Sequence, residues 1–350
     1  VKYQLAMGFD RIVLYDNEAD PTYADLLRRE GLSCCVTEAP FGQPLPEELR
    51  TDFTRDETKV IVKHMPTRLL PPAIFENVGL IVRPQELQLD DFRRHHLRHD
   101  GYTHASCFDV DEYLQLNKYE NVREFAKYTL SDEYGVHPTC ASMNFNWAMF
   151  GDNGMKNYAP QPVPVRFTCR DATLHQNHKN FFRTDKIDSF GVHIVQPKPG
   201  YRACTTHNDT VWPNSPHHFN STNAVVQLNH YVSKTWAETK HQRSRGRAQN
   251  AGGQGLKGRT IGELAVWFDD ANRNDQEDVG ARNFFLKHVW KMSDEEIEKQ
   301  SLMEKEGQDE LSKKKCPLPK VSKLEEIRRK DGERERRRER EKETVHQRSE

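Results

Sequence analysis

Residues 9–37 read FDRIVLYDNEADPTYADLLRREGLSCCVT, and their pattern decides the fold class. Phe9-Asp10-Arg11-Ile12-Val13-Leu14-Tyr15 has the apolar content of a buried strand. A polar turn follows over residues 16–21. A helix is then expected over 22–30, with Leu26 and Leu27 on its inner face and Gly31 closing it, and a second strand over 33–37. Strand, helix and strand in this order make a βαβ unit, which implies a parallel sheet whose ligands gather at the carboxyl ends of the strands. Asp16 and Asn17 stand at one such end, either as turn and helix-cap residues or as ligand contacts, and the segment favours neither.

On the N-terminal side, residues 1–8 read as the back half of a helix stopped by Gly8. On the other side, residues 41–84 are broken by six prolines into an irregular insertion with room for a strand or two, at Val60-Ile61-Val62 and Gly79-Leu80-Ile81-Val82. A helical pattern over 85–101 leads into a short strand over 105–108, and Phe108-Asp109-Val110-Asp111-Glu112-Tyr113-Leu114 follows. Continued as a strand, this segment puts Asp109 and Asp111 on one face and turns Val110 into the core. Two adjacent carboxylates call for a cation, and Mg or Mn carrying a diphosphate would supply one; a solvated strand end with a helix cap is the plainer reading.

Further on, an amphipathic helix is expected over 122–128 and a strand over 141–146. Trp147-Ala148-Met149-Phe150-Gly151-Asp152-Asn153-Gly154 then enters a glycine-bounded turn, suited to cradling a ligand or to closing a hairpin. Lys179 and Arg183 flank an aromatic strand, where cations either meet phosphates or mark the outward face of an edge strand. A strand over 224–228 runs into His230, followed by a helix over 236–242 and the cluster Arg243, Arg245 and Arg247. That cluster lacks interleaved aromatics, which argues against single-stranded nucleic acid.

The composition agrees. Lys plus Arg is 52 and Asp plus Glu is 53, a formal net charge of -1, so no global basic field points to nucleic acid. The 350 residues suffice for one large α/β domain with an appendage. A mean hydropathy of -0.90 reflects the charged residues 293–350, expected to be a helical or disordered tail and a candidate for binding another protein. Aromatic residues over 251–292 suit short helices docking on the core. The 7 cysteines show no zinc spacing and read mostly as buried small residues. Asn208 and Asn220 head glycosylation sequons, and no span or secretory signal is apparent.

Taken in order, LAMGFDRIVLYDNEAD, FDVDEYL, NWAMFGDNG and LNHYVSKTWAETKHQRSRGRA resemble glycosyltransferase family 92 and its family-2-like relatives, over residues 1–248. The resemblance implies a GT-A fold with a mainly parallel central sheet over residues 1–250, and a nucleotide-sugar-dependent transferase that inverts the anomeric carbon. By position, Asp16 and Asn17 would contact the nucleotide, Asp109 and Asp111 would form the metal-binding pair beside Glu112, and His230 would complete the Mn or Mg site. Gly151 and Gly154 would bound the loop that shapes the donor and acceptor pocket, and Lys234 and Arg245 would meet the diphosphate. Where the family loop reads closer to F-G-S-S-G-H, this chain has Phe150-Gly151-Asp152-Asn153-Gly154-Met155. Because the chain opens inside the helix before the first observed strand, the family's first strand and any membrane tether are expected upstream of Val1.

An inverting reaction needs a carboxylate to take the acceptor's proton, and Asp152 is the candidate, with Asp185 and Asp188 as substitutes. The implied partners are a nucleotide-sugar, UDP-sugars favoured, and a carbohydrate acceptor. The implied compartment is the lumenal side of the Golgi or another secretory membrane if an anchor exists, and the cytoplasm otherwise. Two other classes compete: an inactive nucleotide- or carbohydrate-binding module of the same fold, and an interaction scaffold built on the charged tail. A phosphatase of the haloacid dehalogenase type would need its acidic pair near the chain start and a Thr where Tyr113 stands.

Overall fold

A computed structural model describes residues 1–18, 20–50, 59–65, 84–97, 100–133, 135, 138–205, 222–244, 261–306 and 316. The N-terminal strands β1 (Ile12–Asp16), β2 (Val36–Pro40) and β3 (Val60–His64) form a parallel sheet in the order β1-β3-β2. The expected parallel arrangement is present, but the two strands of the βαβ unit are not neighbours. Val60, Ile61 and Val62 are all buried, as a continuous apolar run is when a parallel strand is covered on both faces, and β3 therefore takes the centre. The second apolar run, residues 79–82, lies outside the described residues.

The connecting helix is shorter than its periodicity suggests. It spans Tyr23–Leu27 and passes through a π turn, Arg28–Leu32, in which Gly31 takes φ 85°. A 3₁₀ turn, Ser33–Cys35, delays the second strand to Val36. Leu26 is 42% exposed, so only Leu27 packs inward, against Ala24, Val36 and Val60. A buried ion pair ties the helix Pro84–Phe92 to this sheet: Lys63 Nζ lies 2.8 Å from Asp91 Oδ2, Tyr15 Oη donates to the same oxygen, and the Gly42 N–H donates to Oδ1.

The larger sheet comprises β4 (His104–Ser106), β5 (Glu112–Leu116), β6 (Cys140–Met149), β8 (His175–Arg183), β11 (Arg202–Cys204) and β12 (Val226–His230). Between them in the chain come β7 (Cys169–Arg170), β9 (Ile187–Phe190) and β10 (Val195–Pro197), and β13 (Gln276–Glu277) follows last. The main order is β4-β8-β6-β12-β5, with β11 also paired to β6. β12 and β11 run parallel to β6, whereas β5 is antiparallel to β12, β8 to β6 and β4 to β8. The sheet is thus mixed rather than mainly parallel. β8 lies inside it, so Lys179 is not on an edge; its side chain is buried.

The helix Val122–Leu130 buries Val122, Phe125, Ala126, Thr129 and Leu130, a stripe at helical spacing, against Phe145 and Phe181 of the sheet. Asn121 Oδ1 accepts from the Glu124 N–H at 2.9 Å, and Glu124 reaches back to the Glu120 N–H. Cys140, Cys169 and Cys204 are buried, in line with their reading as buried small residues, and they take part in two disulfides, Cys140–Cys204 and Cys169–Cys316, that the spacing did not announce. The second fixes Cys316, well beyond the helix Asp294–Glu306, to β7. Among the described residues no helix is long and apolar enough to cross a membrane.

The chain beyond 260 docks through helices Ile261–Ala271 and Gly280–Phe284 and through one half-buried acid, Asp278. Asp278 Oδ2 accepts from Arg170 Nε at 2.8 Å and Gln227 Nε2 at 2.9 Å; its Oδ1 accepts from Gln115 Nε2 and the Gly280 N–H. The residues Gln115, Gln227 and Asn229 make a polar stripe on β5 and β12 that an apolar segment could not cover without leaving amides unpaired.

Candidate diphosphate and metal site

The ends of three strands meet at one edge of the larger sheet. His230, last in β12, is the register partner of Glu112, first in β5, and of Met149, last in β6. The segment entering β5 is set by a length constraint. β4 and β5 are four strand spacings apart, roughly 19 Å in a flat sheet, and the six steps from Ser106 to Glu112 span at most about 22 Å when fully extended. That segment is not fully extended, because the Glu112 N–H donates to Asp109 O and closes a turn over 109–112. The sheet must therefore curl, and the turn lies across its strand ends.

This overturns the strand geometry expected for the D-x-D. Val110 is 80% exposed instead of buried, and the two acids point to different partners. Asp109 Oδ2 accepts from Lys179 Nζ at 3.2 Å, and its N–H donates to Glu112 Oε2 at 2.7 Å. Asp111 lies 3.8 Å from His230 Nε2 through Oδ1, and its Oδ2 is 3.5 Å from Lys234 Nζ and 3.4 Å from Gln242 Nε2. Lys234 holds a left-handed backbone, φ 48°, uncommon for a residue other than glycine and a form of local strain that concentrates at functional sites.

The charges divide accordingly. Burial opposes ionisation of Asp111, but His230, Lys234 and the Gln242 amide outweigh it and hold its carboxyl below the ordinary aspartate range. Burial lowers His230 more than Asp111 and Asp109 raise it, so at neutral pH the imidazole is neutral, and the charge that holds Asp111 ionised there is that of Lys234. Glu112 is buried and pushed well above the usual carboxylate range, by burial and then by Asp109, against the pull of Lys179. Lys179 keeps its proton because Glu112 and Asp109 outweigh its burial. Glu112 Oε1 and His230 Nδ1 are buried without hydrogen-bond partners, and the Trp147 ring packs 4.3 Å from the imidazole.

Among the described residues no three His, Cys, Asp or Glu side chains converge as a preformed metal cage. Asp111 offers a carboxylate of the kind that suits Mn or Mg when phosphate oxygens and water supply the other ligands, with the neutral His230 imidazole beside it as a nitrogen donor. Asp109 is turned away to Lys179. The donor set fits an open, two-ligand site rather than the three-ligand one implied by Asp109, Asp111 and His230.

The other expected residues are placed as follows. The Asp16 carboxylate is fully buried and accepts from the N–H groups of Glu18, Thr22 and Tyr23, so it caps the first connecting helix. Asn17 beside it is half-buried. The 150–155 loop sits at the shared strand edge, since the Phe150 N–H donates to His230 O. It is a turn closed from the Met155 N–H to Asp152 O, with Asn153 at φ 53° and Gly154 at φ 73°, the pair of left-handed residues that an Asn-Gly turn provides. Gly151 is demanded by packing, because a Cβ there would collide with the backbone oxygen of Arg273. Asp152 Oδ1 accepts from the Gly154 N–H at 2.8 Å and Asn274 Nδ2 at 3.3 Å, a turn role. Asp185 and Asp188 follow the carboxyl end of β8, which is antiparallel to β6, and so lie at the opposite edge of the sheet from His230. Arg245, Asn208 and Asn220 lie outside the described residues.

The sequence did not disclose Gln242 as a partner of Asp111, the pairing of Lys179 with Asp109, the packing of Trp147 on His230 or the burial of Glu112. The Glu three residues after Asp109 was a signal for the 109–112 turn; nothing local marked the others. A cavity of about 590 Å³ lies at the far end of β5, lined by Gln115, Asn117, Phe284, His288, Glu298 and Ser301, and includes neither Asp111 nor His230. No family model matches the chain, and no curated protein matches it either.

Proposed function

We propose that this chain is a nucleotide-sugar-dependent glycosyltransferase of GT-A type that moves a sugar to an acceptor hydroxyl with inversion. The observation that carries the reading is the convergence of the D-x-D turn, His230 and Lys234 on one strand edge. The disulfides suit the lumen of a secretory compartment. Mn or Mg held by Asp111 and His230 would supply Lewis-acid neutralisation of the departing diphosphate when bound. Lys234 places an ammonium where it can pair with a diphosphate oxygen, and Lys179 fixes Asp109 in the turn. Asp152, on the loop beside His230, is the group assigned to take the acceptor's proton. Its Oδ1 holds the turn, which leaves Oδ2 for that role.

A second reading is a catalytically inactive nucleotide- or carbohydrate-binding module of the same fold. It is favoured by the internal compensation of both acids, Asp109 by Lys179 and Asp111 by Lys234. The two separate in one assay. With Mn present, incubation with UDP- and GDP-sugars and a panel of glycosides is expected to release nucleoside diphosphate, and chelation is expected to stop the release. Saturable nucleotide binding without release from any donor favours the module.

A further inference from the structure

Two cysteines outside the disulfides are adjacent in the chain. Cys34 is exposed and Cys35 half-buried, both in the 3₁₀ turn Ser33–Cys35 that leads into β2, and their sulfurs lie 2.7 Å apart. The remaining thiol, Cys107, is of a different kind: burial pushes it up to about 12, which leaves it almost wholly protonated and unreactive at neutral pH. The other four cysteines are already oxidised. A compartment that forms and keeps those two bonds also acts on thiols at the surface.

We propose that Cys34 and Cys35 form a redox-modification site, closing into a vicinal disulfide with a small-molecule disulfide of the glutathione class as oxidant. The exchange balances without any other reagent. The Cys34 thiolate attacks a sulfur of the external disulfide, its S–S bond breaks, and one small thiol leaves with a mixed disulfide on Cys34. The Cys35 thiolate then attacks the Cys34 sulfur and expels the second small thiol. Two protein thiols are oxidised, one external disulfide is reduced to two thiols, and the two protons lost by the protein end on those leaving groups. Sequence adjacency also makes the bond labile. Neighbouring Cα atoms are about 3.8 Å apart, short of the roughly 4.4–6.8 Å that unstrained disulfides span, and strained, exposed disulfides are the reducible ones. The pair sits at the amino end of β2 in the three-stranded sheet, whereas the Asp111 and His230 site lies at strand ends of the larger sheet. The site is independent of the transferase reading.

The test is alkylation mapping of the full chain, equilibrated with glutathione disulfide, freed of it, then unfolded with N-ethylmaleimide and no reductant. The expected product carries the label on Cys107 alone, and the peptide containing Cys34 and Cys35 is lighter by two hydrogens. Pretreatment with dithiothreitol is expected to expose Cys34 and Cys35 at a concentration about tenfold below that needed for Cys140 and Cys204. In Cys34→Ser, Cys35 is expected to be labelled or to carry glutathione, with the other two disulfides unchanged. Label on both Cys34 and Cys35 without reductant, a stable glutathione adduct on either in the wild-type chain, or a disulfide-linked dimer through them would overturn the proposal.

Discussion

Asp111→Asn is expected to lower nucleotide-sugar turnover by about 10²–10³-fold, the usual cost of removing one group that stabilises charge in a transition state. The substitution keeps the shape and the hydrogen bond with Gln242 but deletes the charge that Lys234 and His230 face. Folding should survive, because Asp111 is anchored through its backbone, Tyr231 N–H to Asp111 O, as well as through its side chain. Steady-state kinetics with Mn, beside a circular dichroism melt, checks both halves. Turnover within threefold of wild type would remove Asp111 from the site.

The second large effect is structural. Asp278→Ala removes the carboxylate paired at 2.8 Å to the buried Arg170 guanidinium, which keeps only uncharged acceptors such as Asp171 O, and takes one acceptor each from the Gln227 and Gln115 amides. Removing one partner of a buried ion pair costs about 3–5 kcal/mol, enough to unfold a marginal domain. The same residue imposes a pH dependence. Burial raises Asp278, but Arg170, Gln227, the Gly280 N–H and Gln115 outweigh it and hold its carboxyl below the ordinary value. A depressed folded value means stability present above the unfolded aspartate value of about 3.9 and lost as pH falls through the folded one. Urea midpoints measured from pH 6 to pH 3 should therefore converge for wild type and Asp278→Asn at the acid end. Equal spacing at every pH would show that Asp278 carries no such linkage.

What the sequence disclosed and what it withheld follow from the range of each signal. Val60-Ile61-Val62 and the helix expected over 122–128, which runs on to Leu130, were legible because burial on one face, or two, repeats along the chain. Strand order was not. Periodicity tells which face is buried, not which strand lies alongside, so β3 could not be foreseen between β1 and β2, nor β12 between β6 and β5. The D-x-D was recognised as acidic but was sited at a strand end, whereas it forms the turn into β5, and whether Val110 pointed in or out depended on the curl that brings β4 and β5 together. Lys179 could not be assigned to Asp109, 70 residues away in the chain, and cysteine spacing carries no connectivity. His230 and Lys234 came from the motif resemblance, and their side chains do face Asp111.

The central claim is that the edge formed by Asp111, His230 and Lys234 holds a nucleoside diphosphate together with a divalent ion. Its most direct test is calorimetric titration of the full chain with UDP, with Mn and then with chelator, alongside the Lys234→Ala variant. Saturable binding that weakens at least tenfold on chelation and again in Lys234→Ala is the expected result. Binding of equal strength with and without Mn and in the variant, or no binding of UDP or GDP in any state, would contradict it.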